Sequence, residues 1–148
     1  MIRSLTSGDI NSWLSLAKEV EHLFGKMAGV EEFENGIASA IDKNCAFGYE
    51  ESEFGITGIV AISKENNSIE WLAVSESSKG KGIGSMLIER AIEKLEQKKD
   101  IFVQTFSPEI SEGRAARKLY MKFGFSDYKS GGLNPAGIAT VVMRRIGS

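Results

Sequence analysis

Between Lys79 and Ser85 the chain reads KGKGIGS, with Gly80, Gly82 and Gly84 alternating with Lys81 and Ile83. An amphipathic helical pattern begins where the glycines end. Glycine lets a backbone take up positive φ and approach a ligand closely. A helix start leaves four amide N–H groups without partners and carries roughly half a positive charge from the aligned peptide dipoles. Together these features make a seat for an anion, most often a phosphate, and Lys79 and Lys81 add mobile positive charge at its rim. The P-loop pattern fails, because the sixth position from Gly80 is Ser85 and not glycine. The dinucleotide fingerprint fits Gly80 and Gly82, but Ser85 stands where its third glycine belongs. Taken by themselves, the glycines are equally consistent with a tight strand-to-helix connection and no ligand.

The elements that must position this loop follow from periodicity. Ser68 to Val74 is a short apolar strand leading into it. Ile83 to about Gln97 is a helix with Leu87, Ile88, Ala91, Ile92 and Leu95 in a stripe. Upstream, Met1 to Leu5 reads as a strand and Asp9 to about Leu23 as a helix, with Thr6, Ser7 and Asp9 as N-cap residues. The loop Phe24 to Gly29 shows two exposed-looking apolar residues, Phe24 and Met27. Glu31 to Asp42 is a second helix, weakened by Gly36. Cys45 to Tyr49 and Gly55 to Ser63 are strands joined by the acidic turn Glu50 to Glu53. Downstream, Ile101 to Phe106 reads as a strand buried on both faces. A helix from Glu112 to Lys122 stops at Gly124. Phe125 to Lys129 and Ile138 to Arg145 are strands separated by the flexible loop SGGLNPAG. The order is β-α-α-β-β-β-α-β-α-β-β, an α/β (α+β) arrangement in which a mixed, mostly antiparallel sheet carries helices on its faces.

Composition limits the function classes. A chain of 148 residues, with 42% hydrophobic and 26% charged residues, suits one globular domain spanning residues 1–148. A net charge of −2 argues against a broad nucleic-acid surface. One cysteine, Cys45, and one histidine, His22, exclude a disulfide framework and a structural zinc site. No apolar run approaches the ~18 residues of a membrane span. The N-terminus lacks the basic and apolar regions of a signal peptide, so the expected location is cytoplasmic.

Two stretches then carry a resemblance. LAVSESSKGKGIGSMLI is similar to the acyl-CoA-binding motif of the GNAT superfamily of N-acetyltransferases: Gln or Arg, two residues, Gly, one residue, then Gly or Ala, between a strand and a helix. Lys79, Gly82 and Gly84 occupy its defined positions. Downstream, GRAARKLYMKFGF resembles the family's helix ending in Ala-x-x-Leu-Tyr-x-x-x-Gly-Phe, filled here by Ala116, Leu119, Tyr120, Gly124 and Phe125. The element order resembles the family's throughout. Two positions depart from the pattern: Lys79 replaces Gln or Arg, and Gly113 stands where many members carry Asn.

The resemblance implies a GNAT-like sheet and an acetyl-CoA-dependent N-acetyltransferase acting on a small-molecule or peptide or protein amine. It implies that the amides of Lys79, Gly80, Lys81, Gly82, Ile83 and Gly84, with Ser85, hold the pyrophosphate of acetyl-CoA. It implies that the backbone of Leu72, Ala73 and Val74 pairs with the pantetheine arm as an added strand, in a gap where Ile69–Val74 and Ile101–Phe106 splay apart. A strand amide, Val74 N–H, would stabilise the oxyanion, and Tyr120 is the candidate general acid for the departing thiolate. Tyr120 also fits a plain core position on the stripe Ala116-Leu119-Tyr120-Phe123. Glu70 is the candidate base; by strand alternation it faces away from Ile69 and Trp71, where a solvated charge is an equal reading. The acceptor pocket would lie between Phe24–Ala28, the strand around Glu70, and Ser130–Ala136, with Phe24, Met27, Trp71 and Phe106 as lining. A non-catalytic acyl-CoA-binding module is the alternative of a different class. Members self-associate variably, which leaves a homodimer open.

Overall fold

The structure is a computed structural model that describes residues 1–148. Its strands are β1 (Ile2–Ser4), β2 (Ala46–Glu51), β3 (Gly55–Ser63), β4 (Ser68–Val74), β5 (Ile101–Phe106), β6 (Phe125–Leu133) and β7 (Ala139–Arg145). Its helices are α1 (Ile10–Glu19), α2 (Glu21–Phe24), α3 (Glu31–Asp42), α4 (Ile83–Lys94) and α5 (Arg114–Lys122). The strands form one sheet in the order β1-β2-β3-β4-β5-β7-β6. Every neighbouring pair is antiparallel except β4 and β5. The expected mixed, mostly antiparallel sheet with flanking helices is what forms.

Alternation along β3 divides the core in two. Val60 and Ile62 pack with Leu87, Ile88, Ala91 and Ile92 of α4 and with Tyr120 of α5. Ile59 and Ala61 pack on the opposite face with Trp13 and Leu16 of α1 and Ile37 of α3. Leu87 and Ile88 are wholly buried; each such side chain contributes about 2 kcal/mol relative to exposure. Gly58 sets how closely α4 can approach, since a Cβ there would lie 2.8 Å from Ile83 Cγ2 and 3.0 Å from Leu87 Cδ1.

Several elements differ from what periodicity predicts, each for a visible reason. The first helix breaks at Val20 (φ −105°, ψ 7°), separating α1 from α2. Helix α4 ends at Lys94 because Asn67 intervenes: its Nδ2 donates to Glu96 O (3.0 Å) and its Oδ1 accepts from Glu96 N (2.8 Å). Strand β5 is sealed along one face, at Ile101 and Val103, while its other face is exposed at Gln104 and buried only at its end, at Phe106. The reason is that the core under α1 and α3 includes no residue of β5, β7 or β6. Strand β6 runs to Leu133 and takes up half of the expected loop, leaving a turn closed by Asn134 N–H to Ile138 O (2.9 Å). Met27 is buried rather than exposed.

Candidate active site

Strands β4 and β5 pair at Ser68 with Phe102 and at Ile69 with Val103, and nowhere beyond. Past Ile69 the two strands splay. On the other edge, Ser75 N–H donates to Thr57 O at 2.7 Å, and Val74 lies opposite Gly58. Hydrogen-bonded and non-bonded pairs alternate in an antiparallel ladder. Ser75, Ala73 and Trp71 therefore direct their backbone groups at β3, while Leu72 and Val74 direct theirs into the gap.

A register shift opposite Ala61/Ile62 makes this possible. Ala61 pairs with Trp71 but Ile62 with Ile69, so Glu70 is an unpaired bulge residue. The bulge switches which residues bond to β3, and it breaks the alternation of faces. Ile69 packs toward α4 and Trp71 toward α1 and α3. Glu70 lines the same pocket as Trp71. The sequence reading that sets Glu70 opposite both Ile69 and Trp71 is corrected by this bulge.

The glycine loop leads from β4 to α4 through a short 3-10 turn, Glu76–Ser78. Gly80 (φ 83°) and Gly82 (φ 79°) both adopt the left-handed conformation, and a Cβ at either would meet no atom within 4 Å. Space is thus open above both, and φ alone demands glycine there. Gly82 caps α4 with no side-chain cap, so the first-turn amides of Ile83, Gly84 and Ser85 have no helical acceptors. At Gly84, by contrast, a Cβ would lie 3.0 Å from Leu119 Cδ1, so glycine there admits α5 beside α4. Open space and unpartnered donors fit a pyrophosphate.

Acidic residues brace this loop from outside. Lys81 Nζ lies 2.9 Å from Glu51 Oε1, and Ser78 Oγ donates to Glu51 Oε2 at 2.7 Å. The Ser78 hydroxyl, followed by Lys81, holds the Glu51 carboxyl at about 2, well below its ordinary range. Lys79 pairs with Glu76 at 2.9 Å in solvent. Glu19, at the end of α1, accepts from Glu76 N–H at 2.7 Å and so ties the loop to the opposite face of the sheet.

Tyr120 on α5 is buried and meets Phe125 edge-on, ring centroids 5.7 Å apart. Burial pushes its hydroxyl well above the ordinary tyrosine value. The sealed polar atoms without partners are Trp13 Nε1, Thr57 Oγ1 and Ser68 Oγ; the Tyr120 hydroxyl is not among them. Gly113, at the N-cap of α5, cannot carry a side chain here, because a Cβ would fall 2.5 Å from Phe106 Cβ. Arg117 holds the end of β5 instead: it forks onto Asp127 at 2.9 Å twice and reaches Phe106 O at 3.4 Å.

Across the sheet, the end of α2 and the loop after it straddle the splay. Phe24 stacks on Phe106 of β5 (5.4 Å, 19°), and Trp71 Nε1 of β4 donates to Met27 Sδ at 3.3 Å. Asn134 Nδ2 donates to Leu23 O at 2.9 Å, and Gly25 lies against Pro135. The three segments named from sequence therefore converge. His22 lies on α2 and Cys45 is a buried free thiol in the core. No group of three or more His, Cys, Asp or Glu side chains could hold a metal ion. No helix is long and apolar enough to cross a membrane.

Sequence reasoning missed Glu51, Arg117 and Glu19. Each acts through a contact distant in sequence, and nothing local distinguishes it from a surface charge.

Comparison with known proteins gives a consistent picture. Residues 15–146 match the family model described as an acetyltransferase (GNAT) domain. No curated protein sequence matches the chain. Among solved structures, the ribosomal-protein-alanine N-acetyltransferase of Brucella melitensis is similar at 18% identity and TM-score 0.74, covering 99% of each chain. The yncA protein of Salmonella typhimurium, solved with its cofactor acetyl-CoA, is similar at 15% identity and TM-score 0.74, covering 100% of this chain and 94% of that one. A chimera of spermidine N-acetyltransferase from Vibrio cholerae and hSSAT is similar at 21% identity and TM-score 0.69, covering 99% and 94%.

Proposed function

The chain belongs to the GNAT acetyltransferase family, and from that premise we propose that residues 1–148 act as one domain transferring the acetyl group of acetyl-CoA to a primary amine. The observation that carries this reading is the free edge of β4 beyond Ile69, adjoining the unpartnered first-turn amides of α4. An amide-bearing ligand satisfies such an edge as a strand would, and a diphosphate satisfies the helix start. In this reading Lys79, Gly80, Lys81, Gly82, Ile83, Gly84 and Ser85 hold the pyrophosphate. The free N–H and C=O groups of Leu72 and Val74 hold the pantetheine arm, with Ala73 keeping the strand in register.

Acetyl-CoA supplies an activated thioester carbonyl. The amine attacks that carbon, and Val74 N–H donates to the oxygen as negative charge develops on it. Glu70, on the bulge, takes the proton released by the attacking nitrogen, directly or through water. As the carbon–sulfur bond breaks, Tyr120 gives its proton to the departing thiolate. Its raised pKa keeps the hydroxyl protonated as that bond weakens. A buried thiolate is likewise destabilised, so both anions are disfavoured and position decides the transfer.

The names of the similar structures span a ribosomal-protein alanine and spermidine, so the acceptor class is open on fold alone. The test is thiol release from acetyl-CoA across a panel of amines, with acetylated product identified by mass. The reading expects saturable, amine-dependent release. Acetyl-CoA binding with no release on any amine would instead support the non-catalytic module.

A further inference from the structure

Strands β4 and β5 last pair at Ile69 and Val103, so Glu70 and Gln104 are the first residues past that point, one on each side of the opening gap. Val103 packs toward α4. By alternation Gln104 points to the other face, where Glu70 shares a pocket with Trp71. Both side chains are exposed.

An exposed glutamine ordinarily turns freely, but this carboxamide is held in one orientation. Its Nε2 donates to Gly131 O (3.1 Å) and to Thr140 Oγ1 (2.9 Å). A carbonyl oxygen can only accept. The Thr140 hydroxyl donates its own proton to Gly132 O (2.9 Å), so toward Gln104 it too can only accept. Both partners require the nitrogen, and the amide cannot flip. Gly131 completes the arrangement: a Cβ there would fall 2.5 Å from Thr140 Oγ1 and 3.1 Å from Gln104 Nε2. Its φ is not left-handed, so space alone demands glycine. Three residues on β5, β6 and β7 thus fix one oxygen, Gln104 Oε1, beside the gap. That oxygen accepts no hydrogen bond from the chain.

We propose that Gln104 is the residue that restricts the acetyl acceptor to primary amines, its Oε1 accepting the amine hydrogen that stays on nitrogen. The assignment rests on the acetyltransferase reading above. A primary amine carries two N–H hydrogens to the thioester. As the nitrogen–carbon bond forms and the carbon–sulfur bond breaks, one proton passes to Glu70 and the thiolate takes the Tyr120 proton. The other hydrogen becomes the N–H of the product amide, and Gln104 Oε1 holds it throughout. A carboxamide is not a base at neutral pH, so the two oxygens do not exchange roles. A secondary amine has one hydrogen to lose and none left to donate, so it makes no such bond.

The probes are benzylamine, butylamine and alaninamide, each paired with its N-methyl counterpart, and the readout is thiol release from acetyl-CoA. In kcat/KM, wild type should favour the primary member of each pair that it turns over. Gln104→Leu keeps the bulk and loses the acceptor. It should narrow that preference by about fivefold, the usual effect of one hydrogen bond, with the KM for acetyl-CoA unchanged. The steric cost of the methyl group is what remains. Thr140→Val loosens the same network but leaves Gln104 held by Gly131, and should keep the wild-type preference. The products give a readout free of turnover. With CoA bound, N-benzylacetamide should bind more tightly than N-benzyl-N-methylacetamide, and Gln104→Leu should narrow the difference. An unchanged primary-to-secondary ratio in Gln104→Leu, or its equal loss in Thr140→Val, would overturn the assignment and make the network a brace for β6. Release from none of the six amines, with acetyl-CoA bound, would overturn the acetyltransferase reading and this assignment together.

Discussion

Ile69 and Trp71 lie two residues apart on one strand, yet they pack on opposite faces of the sheet, because Glu70 bulges between them. In a regular strand they would share a face. The bulge also changes which backbone groups face β5. Up to Ile69 the strand bonds to β5; beyond it, Leu72 and Val74 present their N–H and C=O groups to an open gap. One inserted residue thus leaves a strand edge free and sets a carboxylate in the pocket that Trp71 lines.

The Tyr120 hydroxyl makes no hydrogen bond to the chain and is not one of its sealed polar atoms, so it contributes little to stability. Tyr120→Phe is expected to lower kcat by about 10²-fold, the usual effect of losing a general acid. The KM for acetyl-CoA and the Tm should stay near wild type. Steady-state kinetics with a thermal melt check this; unchanged kcat would make Tyr120 a packing residue.

Glu51 accepts from Ser78, which is itself only 2% exposed. Glu51→Ala would leave that buried hydroxyl without its acceptor and so loosen the turn that carries it. The expected outcome is faster amide exchange over Ser78–Gly82 and a higher KM for acetyl-CoA at constant kcat. Hydrogen-exchange mass spectrometry with steady-state kinetics tests both parts, and an unaltered exchange rate would show that the brace is dispensable.

Gly82 holds φ 79°, a conformation that costs a residue with a Cβ about 1–2 kcal/mol. Gly82→Ala should therefore shift the start of α4 and weaken CoA binding by about tenfold, since the first-turn amides move with it. Calorimetric titration with CoA measures this, and wild-type affinity would mean that the loop does not hold the diphosphate.

Arg3 forks onto Asp9 at 2.8 and 2.9 Å and holds its carboxyl at about 2, below the ordinary 3.8. The folded value lies below the unfolded one, so the stabilisation is present above about pH 4 and is lost as pH falls toward 2. Asp9→Asn should cost about 1–2 kcal/mol at neutral pH, a modest amount because Arg3 remains partly solvated. Urea midpoints of the two proteins should converge in acid; a constant difference would contradict the ion pair.

The sequence made much of this legible because its signals are local. The apolar period of Leu87, Ile88, Ala91 and Ile92 marks α4, and Gly80 and Gly82 mark the loop by a backbone requirement that only glycine meets cheaply. Gly124 likewise marks the end of α5, at φ 93°. The bulge at Glu70 was not legible, because it arises from register against β3 and leaves no mark on the residue types of β4. Glu51 and Arg117 act across 27 and 10 residues of sequence, where neither charge pattern nor periodicity reaches.

The central claim is that the free edge of β4 positions the thioester, and Val74→Pro tests it most directly. Proline removes the Val74 N–H, which faces the gap and makes no bond to β3, so the sheet should tolerate it as an edge position does. Ala73→Pro, which removes a β3-facing donor, is the comparison expected to unfold. Single-turnover acetyl transfer by Val74→Pro should be slower by about 10²-fold or more, with CoA still bound and Tm close to wild type. Transfer at the wild-type rate from a folded Val74→Pro protein would contradict the account.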